Sequence, residues 1–196
     1  MHWVNRGKEP PGLKHVRKVY TRGWVIFYRH NKGKKPSDEK WREFHHALLG
    51  RFSCLCGYCE CETKGEVDHF RPKKHFPEGV YEWSNWVLAC HDCNNSKGQE
   101  WPCFGFVDPC AEKRSERPER YFCLDLNTGE ILPLASLNPQ RRRRALDTIR
   151  QLKLNAFHQL KRRTTWIVCL SKAIEGRRKK PRELRVFLRK VTKRGC

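Results

Sequence analysis

Two Cys-x-x-Cys pairs, Cys56/Cys59 and Cys90/Cys93, stand thirty residues apart in this chain, and no other feature restricts its folding as tightly. Zinc binds four soft thiolates in a tetrahedron, and two such knuckles supply them at the usual spacing. An ion there would tie together a segment too short to hold itself by apolar burial, because metal binding in such segments is folding energy. The spacing therefore predicts structural zinc on Cys56, Cys59, Cys90 and Cys93. Cys54 and Cys61 flank the first pair and offer substitute thiols, but they lack its x-x spacing. The cysteines number eleven, an odd count, and the polar opening MHWVNRGKEP has no signal-peptide pattern, so a secreted disulfide framework is not expected.

A zinc ion with four thiolates leaves no position for a reacting water. Chemistry must then come from the residues between and beside the knuckles, which include Asp68-His69, Asn85 and Asn94. Residues 66–70 have strand character, 72–79 read as a loop, 86–89 as a second apolar strand, and a helix is expected from Asn94 onward. That order brings Asp68-His69 against Asn94. Asp68 and Asn94 offer oxygen donors, which suit a hard cation such as Mg²⁺ or Mn²⁺. His69 is next to Asp68 on the strand and points to the opposite side, with a ring suited to deprotonating water at neutral pH.

These residues resemble the HNH endonucleases, with their ββα-metal fold, over about 56–97: the zinc knuckles, Asp-His, the middle asparagine and the helical asparagine recur in order. The resemblance implies that Asp68 and Asn94 bind the catalytic divalent ion, that His69 is the general base, and that Asn85 braces the loop and orients His69. Many members carry histidine where this chain has Asn94, which shifts the expectation toward Mg²⁺. The stretches CGYCE, VDHFRPK, YEWSNWVLACHDCNNSKG, VDP, LDLNTGEI and TIRQLKLN also look like the HNH proteins of retron and Septu anti-phage systems. That resemblance implies a defence or mobile-element role and an ATPase partner.

The formal net charge of +21, from 42 Lys and Arg against 21 Asp and Glu, predicts a polyanionic partner, most simply double-stranded DNA. Residues 140–196 hold 20 Lys and Arg against 3 Asp and Glu. Arg141, Arg142, Arg143 and Arg144, and the cluster Arg177, Arg178, Lys179 and Lys180, are dense enough for general grip on phosphates. Arg71, Lys74 and Lys97 surround the motif and are expected to hold phosphates there. With no apolar run near the roughly 20 residues of a membrane span, no membrane association and a cytoplasmic location are expected.

The fold class expected is α+β: a zinc-stapled ββα-metal core with an N-terminal helix and a basic helical C-terminal subdomain. The divisions expected are 1–50 for the arm and helix, 51–138 for the core with a trailing hairpin, and 139–196 for the basic subdomain. Within the first, VRKVY and GWVIFYRH read as short strand-like or irregular pieces. Ser37 and Asp38 read as the start of a helix that carries Trp41, Phe44 and Leu48 and ends at Gly50. Asn155 reads as the cap of a second C-terminal helix with Phe157, Leu160, Ile167 and Leu170 along one stripe. Leu184, Phe187, Leu188 and Val191 read as a last short helix. Function reads as phosphodiester hydrolysis of DNA to 5′-phosphate and 3′-hydroxyl ends. A non-catalytic zinc-ribbon binding module and an RNA-cleaving nuclease are the alternatives.

Overall fold

A computed structural model describes residues 1–37 and 39–176. The first element is α1 (Leu13–His30), where the sequence reading placed irregular or strand-like pieces. The β-branched and aromatic content of VRKVY and GWVIFYRH favours strands locally. However, Leu13, Val16, Tyr20, Trp24 and Tyr28 recur every three or four residues, and that period places them on one helix face. Leu13, Val16 and Trp24 are buried on that face, and the Trp24 indole donates to the Tyr81 hydroxyl at 3.2 Å. Tertiary packing thus overrides local preference.

A 3₁₀ turn at Lys40–Phe44 runs into α2 (His45–Arg51). Glu39, not Ser37, precedes the turn, and Gly50 lies inside the helix; Asp38 falls outside the described residues. The turn presents Trp41 and α2 presents Leu48 to the core. The His45 ring lies within hydrogen-bond reach of the Lys64 and Gly65 carbonyls, at 2.8 and 3.1 Å, and so anchors the approach to the first strand.

That strand, β1 (Glu66–His69), pairs antiparallel with β2 (Trp86–Ala89), Asp68 opposite Val87 and His69 opposite Trp86. All four β2 residues are buried, as expected for a strand covered on both faces. The helix α3 (His91–Lys97) follows at once; it begins three residues before Asn94, so Asn94 sits within it and not at its start. The first knuckle docks on β2 through Gly57, whose N–H donates to the Leu88 carbonyl at 2.8 Å. A Cβ at Gly57 would lie 2.7 Å from Phe52 and 2.8 Å from Val87, so the close approach requires glycine.

Beyond the motif, β3 (Phe122–Leu124) and β4 (Ile131–Pro133) form the expected hairpin. The helix α4 (Pro139–Gln151) is capped by Asn138, whose side chain accepts the Arg141 N–H at 2.9 Å. Ala145 on α4 and Leu152 just after it are buried, and Thr148 joins them by accepting the Val107 N–H at 3.0 Å. The last described element is α5 (Phe157–Gly176). Asn155 does not cap it: its amide instead binds both the N–H and the carbonyl of Ile131, each at 2.9 Å, and so holds β4. Phe157 and Leu170 are exposed and form no buried stripe. The expected helix with Leu184 and Phe187, and the cluster Arg177–Lys180, lie outside the described residues. Among the described residues no helix is long and apolar enough to cross a membrane.

Candidate active site and thiol centre

The knuckles converge. The sulfur atoms of Cys56, Cys59, Cys61 and Cys90 all lie within 4.8 Å of one another. Cys93 is buried nearby, and its thiol is raised by those of Cys56, Cys59 and Cys90, so a fifth thiol stands beside the group. Bonds of 2.3 Å in a tetrahedron put sulfurs about 3.8 Å apart, and Cys59 and Cys90 are 3.7 Å apart. The donor set, its burial and this spacing fit zinc. Hydrogen bonding from Cys56 holds the Cys59 thiol far below its usual range and brings Cys90 down to about 4, whereas Cys61 and Cys93 are pushed up by hydrogen bonds to Cys56. Thiols this crowded compete for protons, and a cation relieves that competition. The sequence reading took Cys93 as the fourth ligand; the tightest group holds Cys61 in its place.

Strand alternation sets the next layer. Glu66 and Asp68 face α3, where Asn94 and Lys97 are one turn apart. Asp68 is 4% exposed and accepts from the Tyr58 hydroxyl at 2.5 Å and the Lys97 ammonium at 2.9 Å. Lys97 is fully buried and also donates to the His69 carbonyl at 2.7 Å. The expectation that Lys97 holds nucleic-acid phosphates is therefore corrected: it is an internal cation that neutralises Asp68. Asn94 donates to Glu66 at 2.5 Å, which leaves its amide oxygen as an available donor atom for a cation. Glu66 also binds His91 at 2.9 Å. These hydrogen bonds, His91 first, keep the Glu66 carboxyl below its usual range, and Glu66 in turn raises His91.

His69 lies on the other face of β1. It is 5% exposed, packed edge-on against Trp41 with ring centroids 4.8 Å apart. Its Nε2 is 2.8 Å from the Val80 carbonyl. A carbonyl only accepts, so Nε2 carries the proton and Nδ1 keeps the lone pair. Burial, followed by the nearby Lys73 ammonium, depresses the His69 pKa well below the ordinary histidine value, so the ring stays neutral. Val80 is itself held: its carbonyl also accepts from the Trp86 indole at 2.9 Å. Asn85 braces the adjacent backbone, accepting the Arg71 N–H at 2.8 Å and donating to the carbonyls of Arg71 and Gly79 at 3.1 and 3.0 Å.

A cavity of about 580 Å³ opens beside β1, lined by Glu66, Val67, Asn94, Trp41, Lys73 and His45 among others. Trp41 and Lys73 thus separate it from His69. The Lys73 ammonium stands 4.1 Å above the Trp41 ring, and burial lowers its pKa to about 8. Arg71 and Lys74 are exposed near the motif. Of the arginine run, Arg143 pairs with Asp147 at 3.0 Å. Arg144 donates to the Phe106 carbonyl at 2.7 Å and to Glu116 at 2.8 Å, and Arg141 lies over the Tyr121 ring; Arg142 is exposed. The run therefore holds α4 to the preceding loop as much as it faces solvent. Sequence reasoning passed over Glu66 and His91; the signal available was that Glu66 is two residues before Asp68, on the same strand face.

Comparison with known proteins points to the same segment of the chain. Residues 56–100 match the family described as HNH endonuclease. A 57-residue stretch is 44% identical to the Septu protein PtuB of Bacillus thuringiensis, covering 26% of this chain and 22% of that protein. The match leaves most of that relative's length uncovered.

Proposed function

Residues 56–100 carry an HNH endonuclease domain, and from that premise we propose that this chain is a metal-dependent nuclease that hydrolyses DNA phosphodiester bonds, in an anti-phage or mobile-element defence role with an ATPase as companion. The supporting observation is the state of His69: its proton is fixed on Nε2 by Val80, its ring is neutral, and Nδ1 is left to act as a base. In this reading Trp41 and Lys73, which stand between the ring and the cavity, move aside on substrate binding, Nδ1 takes a proton from water, and the water oxygen bonds to phosphorus. The bond from phosphorus to the 3′ oxygen breaks, that oxygen takes a proton from solvent, and the ends are 5′-phosphate and 3′-hydroxyl. Asn94 and Glu66 line the cavity together and would hold Mg²⁺ or Mn²⁺, with Asp68 joining by giving up its Lys97 or Tyr58 hydrogen bond; the ion would supply positive charge against that growing on the phosphate. Lys73, at the cavity wall, would meet a phosphate oxygen. Asn85 acts by positioning, through the Gly79–Val80 backbone that fixes His69.

Plasmid nicking with Mg²⁺ tests this. Wild type should nick, and His69→Ala should lose about 10²- to 10⁴-fold in rate, the usual worth of a general base. Zinc content and duplex binding should stay unchanged, and His69→Asn, which keeps a donor there, should behave alike. Equal cleavage by the variants would remove His69 from the chemistry. Wild type that binds duplex and never cuts would favour the zinc-ribbon binding module, and cutting of RNA alone would favour the ribonuclease.

A further inference from the structure

Away from the motif, the segment Arg114-Ser-Glu-Arg117-Pro-Glu-Arg120 repeats arginine every three residues and folds as successive 3₁₀ turns, Arg114–Glu116 and Pro118–Arg120. Arg117, extended with ψ 151°, separates the two turns. All three arginines line a cavity of about 700 Å³ together with Arg163 from α5, over an apolar floor that includes Leu124 and Leu134. A second cavity of about 530 Å³ shares Arg114, Arg120 and Leu134 and adds Arg141. The two share these lining residues, and five arginines line one or the other.

These guanidiniums have donors to spare. Arg114 and Arg120 are exposed, and their guanidiniums make no hydrogen bond or ion pair among the described residues. Arg117 makes no ion pair among the described residues, and its guanidinium is spread 3.6 Å above the Trp3 ring. Two carboxylates line the same groove, but both are occupied. Glu60 pairs with the Met1 amine at 3.0 Å and lies 2.9 Å from the His2 ring, and Glu119 accepts the Trp3 N–H at 3.1 Å. The groove runs up to the thiol centre: Glu60 follows Cys59, and Arg162, beside Arg163, donates to the Cys59 carbonyl.

We infer that this groove is a binding track for the phosphodiester backbone of duplex DNA, with Arg114, Arg117 and Arg120 as its phosphate contacts. The inference deepens the nuclease reading and rests on it for the identity of the polyanion. Arginine forks with free donors suit phosphate oxygens, and the contacts carry no base information.

The experiment is anisotropy of a labelled duplex against salt, without added divalent cation, so that cutting plays no part. Arg114→Gln combined with Arg120→Gln should weaken binding roughly thirtyfold at 0.15 M salt and lower the salt slope by about two, the counterion-release value for two phosphates. Lys14→Gln combined with Lys18→Gln, which removes equal charge from exposed positions on α1, should stay within twofold. Arg117→Gln should add to the loss, with zinc content and melting checked for each variant. Equal effects of the two doubles, or none, would overturn the track, and a loss seen with an RNA hairpin alone would overturn duplex DNA as its occupant. The track can fail while wild type still nicks plasmid. It can also hold for a protein that binds duplex through these arginines and never nicks, which would overturn the nuclease reading alone.

Discussion

The knuckle-to-helix segment and α5 are held in opposite ways. Between Cys56 and Lys97, every residue of β2 is fully buried, as are Tyr58 and Lys97. In α5, Phe157 is 80% exposed and Trp166 66%, with Val168 and Leu170 also open to solvent. The first segment is fixed by groups with few ways to be satisfied: clustered thiols, a buried ion pair and a carboxamide with three hydrogen bonds. The second is tied by arginine side chains, Arg163 donating to the carbonyls of Gly129 and Leu154 at 2.6 Å each. Apolar content alone therefore does not say where a chain buries itself; geometric obligation does.

The sharpest way to break that contrast is at the thiols. Cys59→Ser removes a member common to both possible ligand sets, and structural zinc in small domains contributes on the order of 10 kcal/mol, as much as a typical domain's whole stability. The expected outcome is loss of bound zinc, measured per chain by mass spectrometry, with collapse of the near-ultraviolet dichroism of Trp83 and Trp86. One zinc per chain and an unchanged melt would sink the thiol centre. Cys61→Ser and Cys93→Ser side by side then decide the fourth ligand, since only the true one should lower zinc content.

Lys97→Met is the next largest. Breaking a buried pair by removing one partner costs roughly 3–5 kcal/mol because a charge is left alone. The pair here is 1% and 5% exposed, and among the described residues Tyr58 then remains as the hydrogen-bond partner of the Asp68 side chain. Melting should fall by about 10 °C for a chain of this size. Mg²⁺ should recover more of that loss than it adds to wild type, because it restores positive charge beside Asp68. A melting point within about 2 °C of wild type, at the scale of a surface change, would mean that the ion pair is not what holds β1 to α3.

What could be read beforehand follows the same division. The strands Glu66–His69 and Trp86–Ala89 and the hairpin at Phe122–Pro133 were legible, because short apolar runs bounded by Gly, Pro and Asn have few alternatives. The Cys spacing announced the thiol centre, though not that Cys61 would join it, since convergence depends on a backbone reversal at Glu60, which has φ 63°. α1 was misread because its β-branched and aromatic residues hide a helical period. Lys97 was misread because a lysine in a basic sequence looks solvated until its carboxylate partner, 29 residues earlier, is brought against it. Asn155 looked like a cap, and only the arrival of β4 gives its amide a better partner. For Lys97 and Asn155 the missing information was a contact distant in sequence.

The smallest expected effect lies on α5, and it tests the contrast from the other side. Trp166 and Leu170 are 66% and 45% exposed, so Trp166→Gln and Leu170→Gln should each change stability by no more than about 0.5 kcal/mol. That is a shift of about 2 °C in melting, and zinc content and duplex nicking should not move. The null result is informative because the same substitutions in β2, at Trp86 or Leu88, would remove fully buried side chains and cost several times as much. A loss of about 2 kcal/mol or more at Trp166 would show that this face is covered in solution, and α5 would then belong with the buried segment instead of standing against it.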